Sequence, residues 1–147
     1  MASTILFALF LLSVLTFYPP SITAQVTDGS GNIATNRGIF YITPPKFGLG
    51  GGIQRIKTGN ETSRFSVVQS RFETDLGLPL RIASPYLVTF IPIGSPVFIS
   101  FVDDPVGANP LEWTAVKVLS EGTFVKVGYP NSFEGYFIIE AASSANT

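Results

Sequence analysis

The apolar positions of this chain fall in short runs, not along a helical stripe. Gly38-Ile39-Phe40-Tyr41-Ile42, Phe65-Ser66-Val67-Val68 and Leu87-Val88-Thr89-Phe90-Ile91 are three of them. Val97-Phe98-Ile99-Ser100-Phe101, Thr123-Phe124-Val125-Lys126-Val127 and Tyr136-Phe137-Ile138-Ile139-Glu140 follow. Many of their residues are β-branched or aromatic and each run is bounded by turn formers, the signature of short strands. Glycine and proline recur throughout the chain after residue 24 and leave no room for long helices. The pattern predicts an all-β fold. One segment reads two ways: Leu111, Ala115, Val118 and Leu119 lie at helical spacing ahead of Gly122, whereas Thr114, Val116 and Val118 share one face of a strand from Trp113 to Val118.

The N-terminus has a different pattern. Ile5 to Tyr18 is apolar and uncharged, Pro19-Pro20 breaks it, and Ser21-Ile22-Thr23-Ala24 ends it in small residues. This is the layout of a secretory signal peptide, residues 1–24, with cleavage after Ala24. The run is shorter than the roughly 18–20 apolar residues a membrane span needs, so no membrane association is expected once the signal is removed. Residues 25–147 suit one domain, secreted to the extracellular space or the vacuole.

Composition then narrows the chemistry. Nine basic and ten acidic residues nearly balance, without a basic patch that would suit nucleic acid. The chain has no histidine, which removes the Ser-His-Asp triad, a histidine base and a histidine metal site. It has no cysteine, which removes thiol nucleophiles, zinc–thiolate sites and disulfides. No cofactor or metal is expected.

The remaining motifs are mostly structural. Gly48-Leu49-Gly50-Gly51-Gly52 lacks the third glycine of a dinucleotide loop and the Lys-Ser/Thr of a phosphate loop, and reads as a flexible turn. Asp28-Gly29-Ser30-Gly31-Asn32 and the stretch from Asp103 to Pro110 are turn clusters. Adjacent Asp103 and Asp104 show no spacing that would set a glycosidase pair across a bond. Asn60-Glu61-Thr62 is a sequon, so Asn60 is expected to be glycosylated. The small, polar tail from Ala141 to Thr147 is expected to fray.

Several segments in order resemble the plant Kunitz-type (soybean trypsin inhibitor) family. They are Val26-Thr27-Asp28-Gly29-Ser30-Gly31-Asn32, Asn36-Arg37-Gly38-Ile39-Phe40-Tyr41-Ile42, Gly50-Gly51-Gly52-Ile53, and Thr58-Gly59-Asn60-Glu61-Thr62 with Val67-Val68-Gln69-Ser70. Gly77-Leu78-Pro79, Ser84-Pro85-Tyr86, Glu112-Trp113 and Gly135-Tyr136-Phe137 continue the series. The resemblance implies a β-trefoil of three similar lobes, with Trp113 on a strand, and not an enzyme. The chain ends where that family's third lobe begins, so the implied trefoil is incomplete. Ser63 stands where the family carries the first cysteine of a disulfide, whose partner position falls near Asp104 or Pro105; losing such a crosslink typically costs about 2–5 kcal/mol.

The implied function is inhibition of a serine protease by a substrate-like loop, Ser84, Pro85, Tyr86, Leu87, Val88 and Thr89. Leu87 matches the primary specificity residue and Leu87–Val88 the scissile bond, while Asn36 matches the asparagine that braces the loop from within. A leucine there points to chymotrypsin-, elastase- or subtilisin-like partners, and Arg81 is a basic residue outside the loop. A non-inhibitory binding or storage protein on the same fold is the alternative.

Overall fold

The protein, described from a computed structural model over residues 24–57, 65–103, 111–118, 122–127 and 135–142, is all-β, with no helix among those residues. Its strands are β1 (Gly38–Phe40), β2 (Ile53–Lys57), β3 (Phe65–Gln69), β4 (Leu80–Ala83), β5 (Pro96–Phe101), β6 (Trp113–Val118), β7 (Gly122–Val127) and β8 (Phe137–Ile138). Residues 1–23, Asn60, Ser63, Asp104, Pro105 and residues 143–147 lie outside the described residues, so the signal peptide, the sequon, the disulfide positions and the end of the tail are not placed.

Two antiparallel sheets form, in the orders β1-β4-β5-β8 and β2-β3-β7-β6. Strand β5 shows the cause most simply. Val97, Ile99 and Phe101 are buried and alternate with half-exposed Pro96, Phe98 and Ser100, because a pleat sends successive side chains to opposite faces. Its neighbour β4 buries Leu80 and Ile82 on the same face and exposes Arg81. The register sets Leu80 opposite Phe101 and Ile82 opposite Ile99. These four join Ile91, Phe65, Trp113 and Val127 in one core. Trp113 packs edge-on to Phe137 and tilted against Phe101, and an isolated bridge from Ser100 to Glu112 ties the two sheets.

The segment around Trp113 is a strand. All six residues of β6 pair with β7, from Trp113–Val127 to Val118–Gly122, so cross-strand pairing decides what periodicity left open. Two sequence expectations fail. Leu87–Ile91 is not a strand: its only ladder contact is the Thr35–Phe90 bridge, and the rest is loop. The glycine run is not slack either. Gly51 and Gly52 are buried, and a Cβ at either would run into the backbone carbonyls of Phe72 and Asp75 or of Leu76. Their amides donate to Ser70 O and Asp75 O. Glycine is needed there for close approach of two backbones.

Arg55 links the two sheets. Its guanidinium lies 5.5 Å from the Phe65 ring centroid and 5.2 Å from that of Phe101, and it donates to the Asp103 carbonyl. It thus ties the β2–β3 hairpin to the end of β5. Cation–π contacts are worth about 0.5–2 kcal/mol and a hydrogen bond about 1 kcal/mol. Arg55→Ala should therefore lower stability by about 2 kcal/mol in urea denaturation, with Arg55→Lys losing less. An unchanged midpoint in the alanine variant would remove the clamp from the account.

Asp75 organises the loop that packs on those glycines. Its carboxylate accepts from Gly77 N at 2.9 Å and from Gln54 Nε2 at 2.9 and 3.1 Å. Hydrogen bonds from the Gly77 amide, the Ser70 hydroxyl and the Gln54 amide hold it below the usual aspartate value of 3.8. A pKa lowered by folding contributes stability that is present above the unfolded value and lost as pH falls through the folded one. Asp28 is lowered in the same way, chiefly by the Asn32 amide and side chain. Urea midpoints measured from about pH 5 downward should fall through the carboxylate range, and Asp75→Asn should flatten part of that slope. Equal slopes in the two proteins would contradict the assignment.

Candidate protease-binding loop

The loop leaves β4 at Ala83 and returns to the core at Ile91, and both ends are anchored. On the return side Ile91 N donates to Ala34 O, and Ile91 O accepts from Val26 N, both about as short as ladder bonds at 3.0 and 2.9 Å. Thr35 bridges Phe90, and Asn36 N donates to Thr89 O at 2.9 Å. On the departing side Arg37 N donates to Ile82 O at 2.9 Å. The chain from residue 24 to 37 therefore forms a wall against which the loop is mounted.

Local chemistry shapes what lies between. Pro85 has a fixed φ and pushes Ser84 toward extended geometry. Ser84 is buried, and its hydroxyl accepts from Tyr86 N at 3.2 Å, a serine turn. Val88 N donates to Tyr86 O at 2.9 Å, closing a three-residue turn centred on Leu87. The outcome is that Leu87 is fully exposed, at 103% of its reference area, with Tyr86 half exposed beside it. An apolar side chain held entirely in water on a braced turn is not a core element.

Asn36 is the brace. Its Oδ1 accepts from Ser84 N at 2.7 Å, and its Nδ2 donates to Val88 O at 2.9 Å and more weakly to Tyr86 O at 3.4 Å. One side chain thus reaches carbonyls on both sides of the Leu87–Val88 bond. All seven residues expected from the sequence, Asn36 and Ser84 to Thr89, come together here. Thr35 and Arg37 were not among them; with Asn36 and Tyr86 to Thr89 they line an open concavity of about 520 Å³. Arg37 stands out by its backbone, with φ at 64°, which residue identity alone does not reveal.

Arg81 lies elsewhere. It sits within β4, paired to Ile39 on one side and Ser100 on the other. Its backbone is already committed on both edges and cannot join a protease cleft as an added strand.

Comparison with known proteins bears on this site. A family model described as trypsin and protease inhibitor, of the legume Kunitz type, matches residues 26–147. The chain is 43% identical over 124 residues to the chymotrypsin inhibitor ECI of Erythrina variegata, covering 82% of this chain and 69% of that one. It is 38% identical over 149 residues to trypsin inhibitor A of Glycine max, covering 97% and 68%. Among solved structures, soybean trypsin inhibitor in complex with porcine pancreatic trypsin superposes with a TM-score of 0.74 at 38% identity, over 82% of this chain and 73% of that one. Soybean trypsin inhibitor (Kunitz) complexed with 1,5-disulfonyl naphthalene gives 0.66 at 39% identity, over 74% and 63%. The chain thus spans about two thirds of the length of the relatives it matches, and it has their all-β, β-trefoil class of fold.

Proposed function

The chain belongs to the legume Kunitz family of trypsin and protease inhibitors, and from that premise we propose that it is a secreted serine protease inhibitor with Leu87–Val88 as its reactive bond. The observation that carries this reading is the bracing of both sides of that bond by Asn36 under a fully exposed Leu87. A loop already ordered by its scaffold binds with little entropy cost, so contacts convert efficiently into affinity.

The braced geometry also bears on the chemistry. The protease serine attacks the Leu87 carbonyl, the Leu87–Val88 bond breaks, and Val88 becomes the leaving amine. The Asn36 bond to Val88 O keeps that amine beside the acyl-enzyme, so the reverse attack, which reforms the peptide and frees the serine, outruns departure. Effective molarities of well-oriented groups make this kind of return favourable.

Leu87 suits a hydrophobic S1 pocket. Burying a leucine side chain gains about 1.5–3 kcal/mol, whereas trypsin's pocket holds an aspartate that leucine would leave unpaired. The partners are chymotrypsin-, elastase- or subtilisin-like enzymes, in keeping with a relative named as a chymotrypsin inhibitor. Secretion by residues 1–24 and glycosylation at Asn60 belong to the same reading.

Inhibition titrations of the purified protein against chymotrypsin, elastase, subtilisin and trypsin test it. Tight inhibition of at least one of the first three, lost in Leu87→Gly, is the expected result. Strong trypsin inhibition abolished by Arg81→Ala but not by Leu87→Ala would refute the reactive bond.

A further inference from the structure

Arg37 is the only non-glycine residue among those described with a left-handed backbone, at φ 64°. That region is strained for a residue bearing a Cβ and costs glycine nothing. The surroundings enforce it. Asn36 N is tied to Thr89 O, Arg37 N to Ile82 O and Gly38 N to Thr35 O, so the chain must turn sharply at this residue.

A long cation therefore occupies a position whose geometry favours glycine, and the fold makes no visible use of its charge. Among the described residues no carboxylate or other acceptor pairs with the guanidinium, and the side chain is exposed. It lines the same concavity as Tyr86, Leu87, Val88 and Thr89. A protease that takes Leu87 into its S1 pocket must bring the rim of its cleft over that concavity. Backbone strain retained at a functional surface is a reason to look for what the side chain does there.

We infer that Arg37 is a second recognition residue, which selects serine proteases carrying a carboxylate on the part of the cleft rim that meets the Asn36–Arg37 shoulder. This rests on the reading of Ser84–Thr89 as the reactive segment. The cation supplies what Leu87 does not: attraction at a distance, and discrimination among enzymes that share a hydrophobic S1 pocket. Charges at the rim of an interface act mainly on association rate, and salt screens them.

The strain makes the test two-sided. Arg37→Gly removes the cation and suits the backbone, so its thermal midpoint should be unchanged or raised by about 3 °C. Its association rate should nonetheless fall. The measurement is stopped-flow association with whichever of bovine chymotrypsin, porcine elastase and subtilisin the wild-type chain inhibits most tightly, at about 20 and about 200 mM salt. Arg37→Gly should slow association about tenfold at low salt and about twofold at high salt, Arg37→Glu should slow it further, and Arg37→Lys should keep most of the rate.

Identical rates in the wild-type, glycine and glutamate proteins at low salt would overturn the inference and leave the reactive bond standing. An equal loss at both salts together with a lowered midpoint in Arg37→Gly would also overturn it, by making Arg37 a structural residue. A wild-type chain that inhibits none of the three enzymes sinks the reactive-bond reading, and this inference with it.

Discussion

Replacing Leu87 by arginine should turn the protein into a trypsin inhibitor, raising its affinity for trypsin by about a thousandfold or more and weakening chymotrypsin inhibition by a similar factor. The size follows from what each pocket leaves unpaired. With leucine in the trypsin pocket, a buried aspartate loses its partner, and sites built to pair a polar group reject substrates lacking it by about 10⁴–10⁵. Arginine restores a bidentate ion pair there. In a hydrophobic slot the same guanidinium is a charge taken out of water with no partner. The fold should not notice the change, because Leu87 is fully exposed and contributes nothing to the core. The unfolding midpoint of Leu87→Arg should therefore match that of the wild-type chain, so that any change in inhibition is read at the interface. Inhibition constants against both enzymes measure the exchange. If the ratio between them stays put, Leu87 does not enter the S1 pocket.

How much of this was legible in the sequence depended on whether the deciding force was local. Strand β5 and the Asp28 turn were readable because alternation and the Asx turn are properties of neighbouring residues: Asp28 Oδ1 accepts from Ser30 N and Asn32 N at 2.9 and 2.8 Å. Strand β2 was not readable. Gln54, Arg55 and Lys57 make it look like a loop, yet it is a full partner of β3 from Ile53–Gln69 to Lys57–Phe65. Arg55 belongs there because its guanidinium lies over the rings of Phe65 and Phe101, a partnership between residues far apart in the chain.

The loop shows the opposite error. Leu87-Val88-Thr89-Phe90-Ile91 has strand composition, yet only its second half meets residues 26–36 in ladder-like bonds; at Leu87 and Val88 the backbone is taken up by the turn and by Asn36. Resemblance to a family, not periodicity, pointed to these residues as a loop. Neither could show that Arg37 pivots beside it, because a positive φ on arginine leaves no mark in residue identity.

The brace itself carries the second large effect. Asn36→Ala should weaken inhibition by about a hundredfold and turn the chain into a substrate cut between Leu87 and Val88. Three side-chain hydrogen bonds vanish, to Ser84 N, Val88 O and Tyr86 O, each worth about 0.5–1.5 kcal/mol. The contact made by Leu87 is untouched, so the protease still binds and acylates; what is lost is the hold on the leaving amine. Mass spectrometry after incubation with a trace of protease should show the two fragments accumulating for Asn36→Ala and not for the wild-type chain. Asn36→Asp separates bracing from simple loss of contacts. A carboxylate can still accept from Ser84 N, but it cannot donate to Val88 O or Tyr86 O and faces both carbonyls with negative charge. Inhibition should fall further than in the alanine variant at neutral pH. Protonation restores a donor, and the facing carbonyls favour the protonated form, so binding to a protease lacking its serine nucleophile should strengthen as pH is lowered. A pH-independent loss equal to that of Asn36→Ala would mean that Asn36 fills space beneath the loop without holding the two sides of the bond together.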